Sequence, residues 1–367
     1  MKILHTADLH LNHPRVPSTD TISDLRKVLF PLITEVDLLI IGGDTFDCSV
    51  SLNSSDASSI ISFFADLLRL CFEADTMIRI LLGTRSHDLD QLRIITKLYQ
   101  KLGIPVNYDS VSVIAVEYIK RYDTSILYIP DNMPYKNKRE MFKHIHDLLK
   151  ANNRTSVDYV VGHGTFDFTN FGHIDPNAYR IQDFNKICDK LGLFGHIHKP
   201  QKHGIIIYGG SFNRLAHGEE EKKGCWVIDG SNARFIENKY ATKFVTVDYT
   251  GVDDLDQLVA KHQSILVSFN PDRISYLRVI MTDIHLKQIL RKYHLDNYPN
   301  VKLTFKSTVK CKDSESGNYL DDKLKTRTDE VLIIPSSGNI ANIVAKHVAT
   351  NLGIELSLNI IESILNE

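Results

Sequence analysis

The chain reads as an α/β protein with a smaller α+β module after it, and three observations carry that reading. Short β-rich apolar runs alternate with helical patterns from residue 2 to about residue 230. Acid and imidazole side chains stand directly after several of those runs. A second, shorter alternation of the same kind begins near residue 241.

The apolar runs are KILHTA, DLLIIGG, IRILLG, SILYIP, DYVVGHG, LGLFGH and GIIIYGG, each ended by glycine or polar residues. That is the pattern of buried strands feeding surface loops. Between them, residues 25–36, 57–72, 91–102 and 141–149 carry apolar side chains at helical spacing. The catalytic-sized unit is therefore expected over 1–240. Over 241–310, FVTVDY, SYLRVIMT and VKLTFKS read as strands, with helices over 252–262 and 284–293. Residues 311–336 form a polar stretch suited to a linker. The tail, 337–367, shows two amphipathic stripes: Ile340, Ile343, Val344 and Val348, then Leu356, Ile360, Ile361 and Ile364.

Composition narrows the class. With 43% hydrophobic and 24% charged residues the chain is ordinary globular protein, neither disordered nor collagen-like. No apolar run approaches the roughly 18 residues of a membrane helix, and the opening MKILHTADLH has no signal-peptide pattern, so a cytoplasmic protein without membrane contact is expected. The cysteines Cys48, Cys71, Cys188, Cys225 and Cys311 form no close pair and read as reduced thiols. A net charge of -2 argues against coating nucleic acid unaided, so a DNA role needs a local basic patch or a partner.

The chemistry is concentrated at strand ends: Asp8 and His10 in ADLH, Asp44 and Asp47 in GGDTFD, His87 and Asp88 in GTRSHD, His163 in VGHG, His196 and His198 in FGHIH. Loops leaving the carboxyl ends of strands in an open α/β sheet converge on one crevice. Carboxylates mixed with imidazoles suit divalent manganese, iron or zinc, where an all-oxygen set would suit magnesium or calcium. Alternate residues on an extended strand end point the same way, so Asp-x-His and His-x-His each direct two ligands at one ion. Singly each motif is an ordinary loop feature; together and in this order they predict a metal site.

That order, DxH, GDxxD, HD, GH and GHxH, resembles the calcineurin-like metallophosphoesterase family over roughly the first 230 residues. Within it, KILHTADLHL and the stretch GSFNRLAHGEEEKKGCWVID at 210–229 are similar to SbcD, the nuclease partner of the SbcC ATPase. The resemblance implies a calcineurin-like phosphoesterase sandwich with a small α+β capping domain and C-terminal partner-binding helices. It implies two divalent metal ions, manganese first and magnesium as the alternative. Asp8, His10 and His198 would hold one ion and His163 and His196 the other. Asp44 would bridge them, His87 would be the catalytic histidine, and Asp47 would orient a ligand from outside. The implied partners are DNA and an SbcC-like ATPase subunit, in a homodimer within a heterotetramer, acting in recombination, repair or replication.

One motif departs from the family pattern Gly-Asn-His-Asp. Here Gly83 is followed by Thr84, Arg85 and Ser86 before His87 and Asp88, so two residues are inserted and the Asn ligand is missing. If His87 and Asp88 keep register, Ser86 stands in the Asn position as a weaker ligand; Thr84 is the other candidate. Arg85 is expected to contact a DNA phosphate through its guanidinium fork. Two other functions remain compatible: a stand-alone phosphoesterase for small phosphate esters or phosphoproteins, and a non-catalytic DNA-end scaffold.

Overall fold

The computed structural model describes residues 1–51, 53–88, 91–103, 107–131, 134–169, 178–252, 254–281 and 284–306. By internal contacts the chain divides into two units, the first Met1–Phe244 with Asp272–Ser275, the second Val245–Pro271 with Tyr276–Glu367.

The first unit begins with β1 (Lys2–Thr6), β2 (Leu38–Ile41), β3 (Met77–Leu81), β4 (Tyr108–Val111), β5 (Ala115–Ile119) and β6 (Thr124–Ile129). It continues with β7 (Val157–His163), β8 (Cys188–Gly195), β9 (Gln201–His203), β10 (Ile206–Tyr208), β11 (Gly224–Asp229) and β12 (Asn232–Glu237). They form two six-stranded sheets, ordered β12-β11-β1-β2-β3-β4 and β5-β6-β7-β8-β10-β9. In each sheet the central strands are parallel: β1 with β2, β2 with β3 and β3 with β4, then β6 with β7, β7 with β8 and β8 with β10. Antiparallel strands close the β12 edge of the first sheet and both edges of the second, while β4 ends the first sheet in parallel with β3.

Strand side chains alternate between two apolar layers, which is why the central strands read as unbroken hydrophobic runs. Ile3, Leu38 and Ile40 face inward and share a core with Tyr159, Val161, Leu191 and Leu193 of the other sheet. Their neighbours Leu4, Leu39 and Ile41 face outward, against Leu25, Phe63, Phe64 and Leu67 of the helices Ser18–Val28 and Ser55–Glu73. On the far side Leu127, Val160 and Phe194 meet Ile145 and Leu149 of the helix Lys138–Ala151. The result is a helix–sheet–sheet–helix stack. Each fully buried Leu, Ile or Phe contributes roughly 1.5–3 kcal/mol of burial. The helix Ser55–Glu73 starts where the Ser54 side chain accepts from the Ala57 N–H at 3.2 Å.

Two local readings of the sequence change. The helical pattern at 25–36 belongs to two helices, Ser18–Val28 and Phe30–Ile33, with Pro31 in the first turn of the second, where its missing N–H is not needed. Strands β4, β5, β9, β11 and β12 do not stand out in the sequence: they are short or lie toward an edge, and β12 has no fully buried residue.

In the second unit, β13 (Phe244–Asp248), β14 (Ser275–Ile280) and β15 (Val301–Lys306) form a three-stranded sheet. Tyr249, Leu258, Leu277, Leu290 and Val301 share its core with the helices Leu255–Leu266 and Ile284–Asn297. The linker expected over 311–336, the helices expected over 337–367 and Cys311 lie outside the described residues. Among the described residues no helix is long and apolar enough to cross a membrane.

Candidate metal centre

The loops leaving β1, β2, β3, β7 and β8 meet at one end of the sandwich. Two backbone bonds tie the first two exits, Asp8 N–H to Gly43 O at 3.0 Å and His10 N–H to Asp44 O at 3.1 Å. Asp8, His10, Asp44 and His196 all sit in the left-handed region, at φ 49°, 44°, 48° and 92°. Such a conformation costs a non-glycine residue about 1–3 kcal/mol and persists only where its surroundings impose it. Gly43 and Gly83 leave the room this requires, since a Cβ on Gly43 would collide with the His163 ring and one on Gly83 with Asp44.

Two trios of donor atoms result: Asp8, His10 and His198, and Asp44, His163 and His196, each with its ligand atoms within 4.8 Å of one another. Asp44 reaches toward both, its Oδ2 lying 3.3 Å from His163 Nε2 and 3.9 Å from His10 Nε2. The Asp8 carboxylate accepts the His196 N–H at 2.9 and 3.1 Å, linking the trios through the backbone.

The hydrogen-bond pattern fixes which ring nitrogens are available. His10 Nδ1 donates to Asp47 Oδ1 at 3.1 Å, His198 Nδ1 to Glu219 Oε1 at 3.1 Å and His163 Nδ1 to Gly42 O at 2.9 Å. With Nδ1 donating, each ring when neutral carries its lone pair on Nε2, and these nitrogens point into the cluster. His10 Nε2 and His198 Nε2 lie 3.1 Å apart, two acceptors facing each other. His163 Nε2 faces the Asp44 carboxylate in the same way. Inward lone pairs at such separations need a cation between them, so the donor set fits divalent metal.

Without a metal, protons do that work. Burial would lower the His163 pKa, but the hydrogen bond and charge of Asp44 override it and raise it to about 10. Asp44, despite burial, is held well below the usual carboxylate range by the same pairing. Burial lowers His196, with His163 beside it adding to the effect.

His87 stands beside the first trio, its ring 5.0 Å from that of His10. Its Nδ1 donates to the Asp47 carbonyl at 2.6 Å, leaving Nε2 as the working atom. Asp47 thus holds two rings, one through its carboxylate and one through its carbonyl. His10, Asp47 and His87 also form a third set of donors within 4.8 Å.

The departing loop is now explicit. The Thr84 N–H donates to Asp44 Oδ1 at 2.6 Å, and its hydroxyl lies 3.3 Å from Asp44 Oδ2 and 3.4 Å from His163 Nε2. Ser86 is exposed on the short helix Arg85–Asp88, as is Arg85. Thr84, directly after the glycine, therefore takes the place expected for Ser86, and the inserted residues are Arg85 and Ser86. The loop can absorb them because Asp88 pins both its ends: Oδ1 accepts from Phe46 N–H at 3.0 Å and Oδ2 from Gly83 N–H at 2.7 Å. Asp88, fully buried, is pushed up to about 6 by burial even against those two donors.

Glu219 and Lys223 were not anticipated as members of the site. Their signal was the GEEEKKG run at 218–224, quoted only as a resemblance. Lys223 is fully buried and its ammonium meets His198 O at 2.9 Å, Glu219 Oε2 at 2.8 Å and Glu221 Oε1 at 2.6 Å.

A double-sheet α/β unit with two adjoining acid–imidazole trios at its strand ends has the donor set of a metal-binding protein. Residues 1–200, just over half of the chain, match the model of the calcineurin-like phosphoesterase family. The chain belongs to the calcineurin-like phosphoesterases, a family typically dependent on two metal ions for phosphoester hydrolysis. No curated protein matches it. Among the solved structures that match, one is 12% identical, covering 65% of this chain and 99% of that one, with a TM-score of 0.38, too slight a likeness to bear on function.

Proposed function

We propose that this chain is a DNA nuclease subunit that hydrolyses phosphodiester bonds at DNA ends and works with an SbcC-like ATPase. The observation that supports it most is the 210–229 stretch: the part of the sequence most similar to SbcD outside the metal motifs supplies Glu219 and Lys223, which are bonded to His198. In this reading Asp8, His10 and His198 would hold one divalent cation and His163 and His196 the other, with Asp44 serving both. Two such ions would polarise the phosphate and make water a usable nucleophile at neutral pH. His87, held by the Asp47 carbonyl, aims Nε2 at the phosphate, to stabilise its charge or, when protonated, to give the leaving oxygen its proton. Thr84 fixes the outer face of Asp44, and Arg85 grips a DNA phosphate from the exposed side of the loop.

The reading extends to manganese as the working ion, to a cytoplasmic setting, to a homodimer within a heterotetramer, and to the tail at 337–367 as the segment that docks on the ATPase. The test is a nuclease assay on linear and hairpin DNA with manganese or magnesium, with and without a co-expressed SbcC-like ATPase. Metal-dependent DNA cleavage stimulated by the ATPase is expected. Hydrolysis of small phosphodiesters with no cleavage of DNA under either condition would reject the nuclease assignment.

A further inference from the structure

We infer that Glu219, clamped by the buried Lys223, is a positioning residue that fixes His198 in the tautomer offering Nε2 to a metal ion. The inference rests on the metal-site reading above and adds to it a residue that does not itself touch an ion.

Glu219 has two differently occupied oxygens. Oε1 accepts from His198 Nδ1 at 3.1 Å, while Oε2 accepts from Lys223 Nζ at 2.8 Å and from Leu215 N–H at 3.1 Å. The lysine is saturated: its three protons meet three acceptors, and one of these is the carbonyl of His198 itself. Lys223 therefore holds His198 at two points, directly by its backbone and through Glu219 by its ring. A fully buried lysine is rare unless paired, and here the pairing is directed at a ring of the cluster. The backbone reinforces it, with Asn238 N–H donating to Lys223 O at 2.6 Å and Arg214 to Glu221 O at 3.0 Å. A carboxylate can only accept, so His198 must carry its proton on Nδ1 and present a bare Nε2 opposite His10 Nε2, 3.1 Å away.

This geometry makes a prediction that a merely structural role for Glu219 would not. In Glu219→Gln the amide oxygen must stay on the Oε2 side, where Lys223 and Leu215 are both donors. The NH2 then faces His198 Nδ1, which must accept, and the ring proton moves to Nε2. The isosteric variant should therefore harm the first metal site more than Glu219→Ala, in which solvent can take the Nδ1–H.

The experiment is titration of the metal-stripped full-length chain with manganese alone, followed by calorimetry, for wild type, Glu219→Gln, Glu219→Ala and His198→Ala. Nitrogen-15 NMR of labelled histidine reads the tautomer, and circular dichroism checks folding. Wild type should bind two ions and His198→Ala one. Glu219→Gln should weaken one ion by about 10–100-fold, the usual cost of losing such a support. Glu219→Ala should weaken it less, and the second ion should still bind. The metal-free spectrum should show His198 protonated on Nδ1 in wild type and on Nε2 in Glu219→Gln. Two ions bound with wild-type affinity by Glu219→Gln, or a larger loss in Glu219→Ala, would overturn the inference while leaving the metal site standing. Wild-type protein that binds no manganese would overturn the metal site and the inference together.

Discussion

His10 and His198 present their Nε2 atoms to each other at 3.1 Å, and each ring has already committed its Nδ1 proton elsewhere, to Asp47 and to Glu219. Two lone pairs held this close repel unless a proton or a cation lies between them. A divalent cation within reach of both would turn the same contact attractive.

Asp44 belongs to the second trio and also reaches toward the first, its Oδ2 lying 3.9 Å from His10 Nε2. Replacing it with Ala removes the shared negative charge and leaves two cations to repel each other. Activity toward a simple phosphodiester should fall below detection and one ion should be lost, with the fold retained. Near-normal hydrolysis by Asp44→Ala at moderate manganese would contradict the shared-ligand assignment.

His87 should separate binding from chemistry. In His87→Ala metal content and DNA affinity should stay near wild type while turnover drops roughly 100-fold or more, the usual worth of a positioned acid or charge-stabilising donor. Loss of an ion in this variant would instead make His87 a ligand, as its place in the third donor set with His10 and Asp47 allows.

The loop insertion gives a paired comparison. Thr84→Ala removes the hydroxyl near Asp44 and His163, so the manganese concentration for half-maximal activity should rise. Ser86→Ala, at an exposed position, should leave it unchanged. The opposite ranking would place the inserted residues before the ligand position and not after it.

Protons and metal should compete at the second trio. In the metal-free chain the His163 pKa is raised from 6.5 to about 10, because Asp44 outweighs burial. Since the folded value lies above the unfolded one, this pairing stabilises fully below about pH 6.5 and is lost as pH rises through about 10. The metal-stripped protein should therefore lose stability between pH 7 and 10, and less so in His163→Gln. At pH 8 metal binding should release about one proton from this ring, measured by calorimetry in buffers of different ionisation enthalpy. Binding without proton release would show that His163 is neutral before the metal arrives.

Much of this site was legible in the sequence because strand-end motifs constrain direction as well as identity. Asp8, His10, Asp44, His163, His196 and His198 stand directly after apolar runs, and parallel pairing brings those strand ends together. Thr84 was harder to place, because a gap in a loop cannot be positioned from spacing alone; its contacts with Asp44 and His163 are visible only in three dimensions. Glu219 and Lys223 escaped because one glutamate and one lysine in a run of GEEEKKG look like a solvated charge cluster until burial is known. The two-helix break at Leu29 is hidden because the apolar spacing runs through it from Leu25 to Val36, and the edge strand β12 because none of its residues is fully buried.

The measurement that bears most directly on the account is an anomalous difference map from crystals of the full chain soaked in manganese, collected at the manganese edge. Two peaks should appear about 3.5–4 Å apart, as in two-metal hydrolytic sites. One should lie among Asp8, His10 and His198 and the other among Asp44, His163 and His196, with Asp44 between them. A single peak, or none within the cluster, would contradict the two-ion centre from which the proposed chemistry follows.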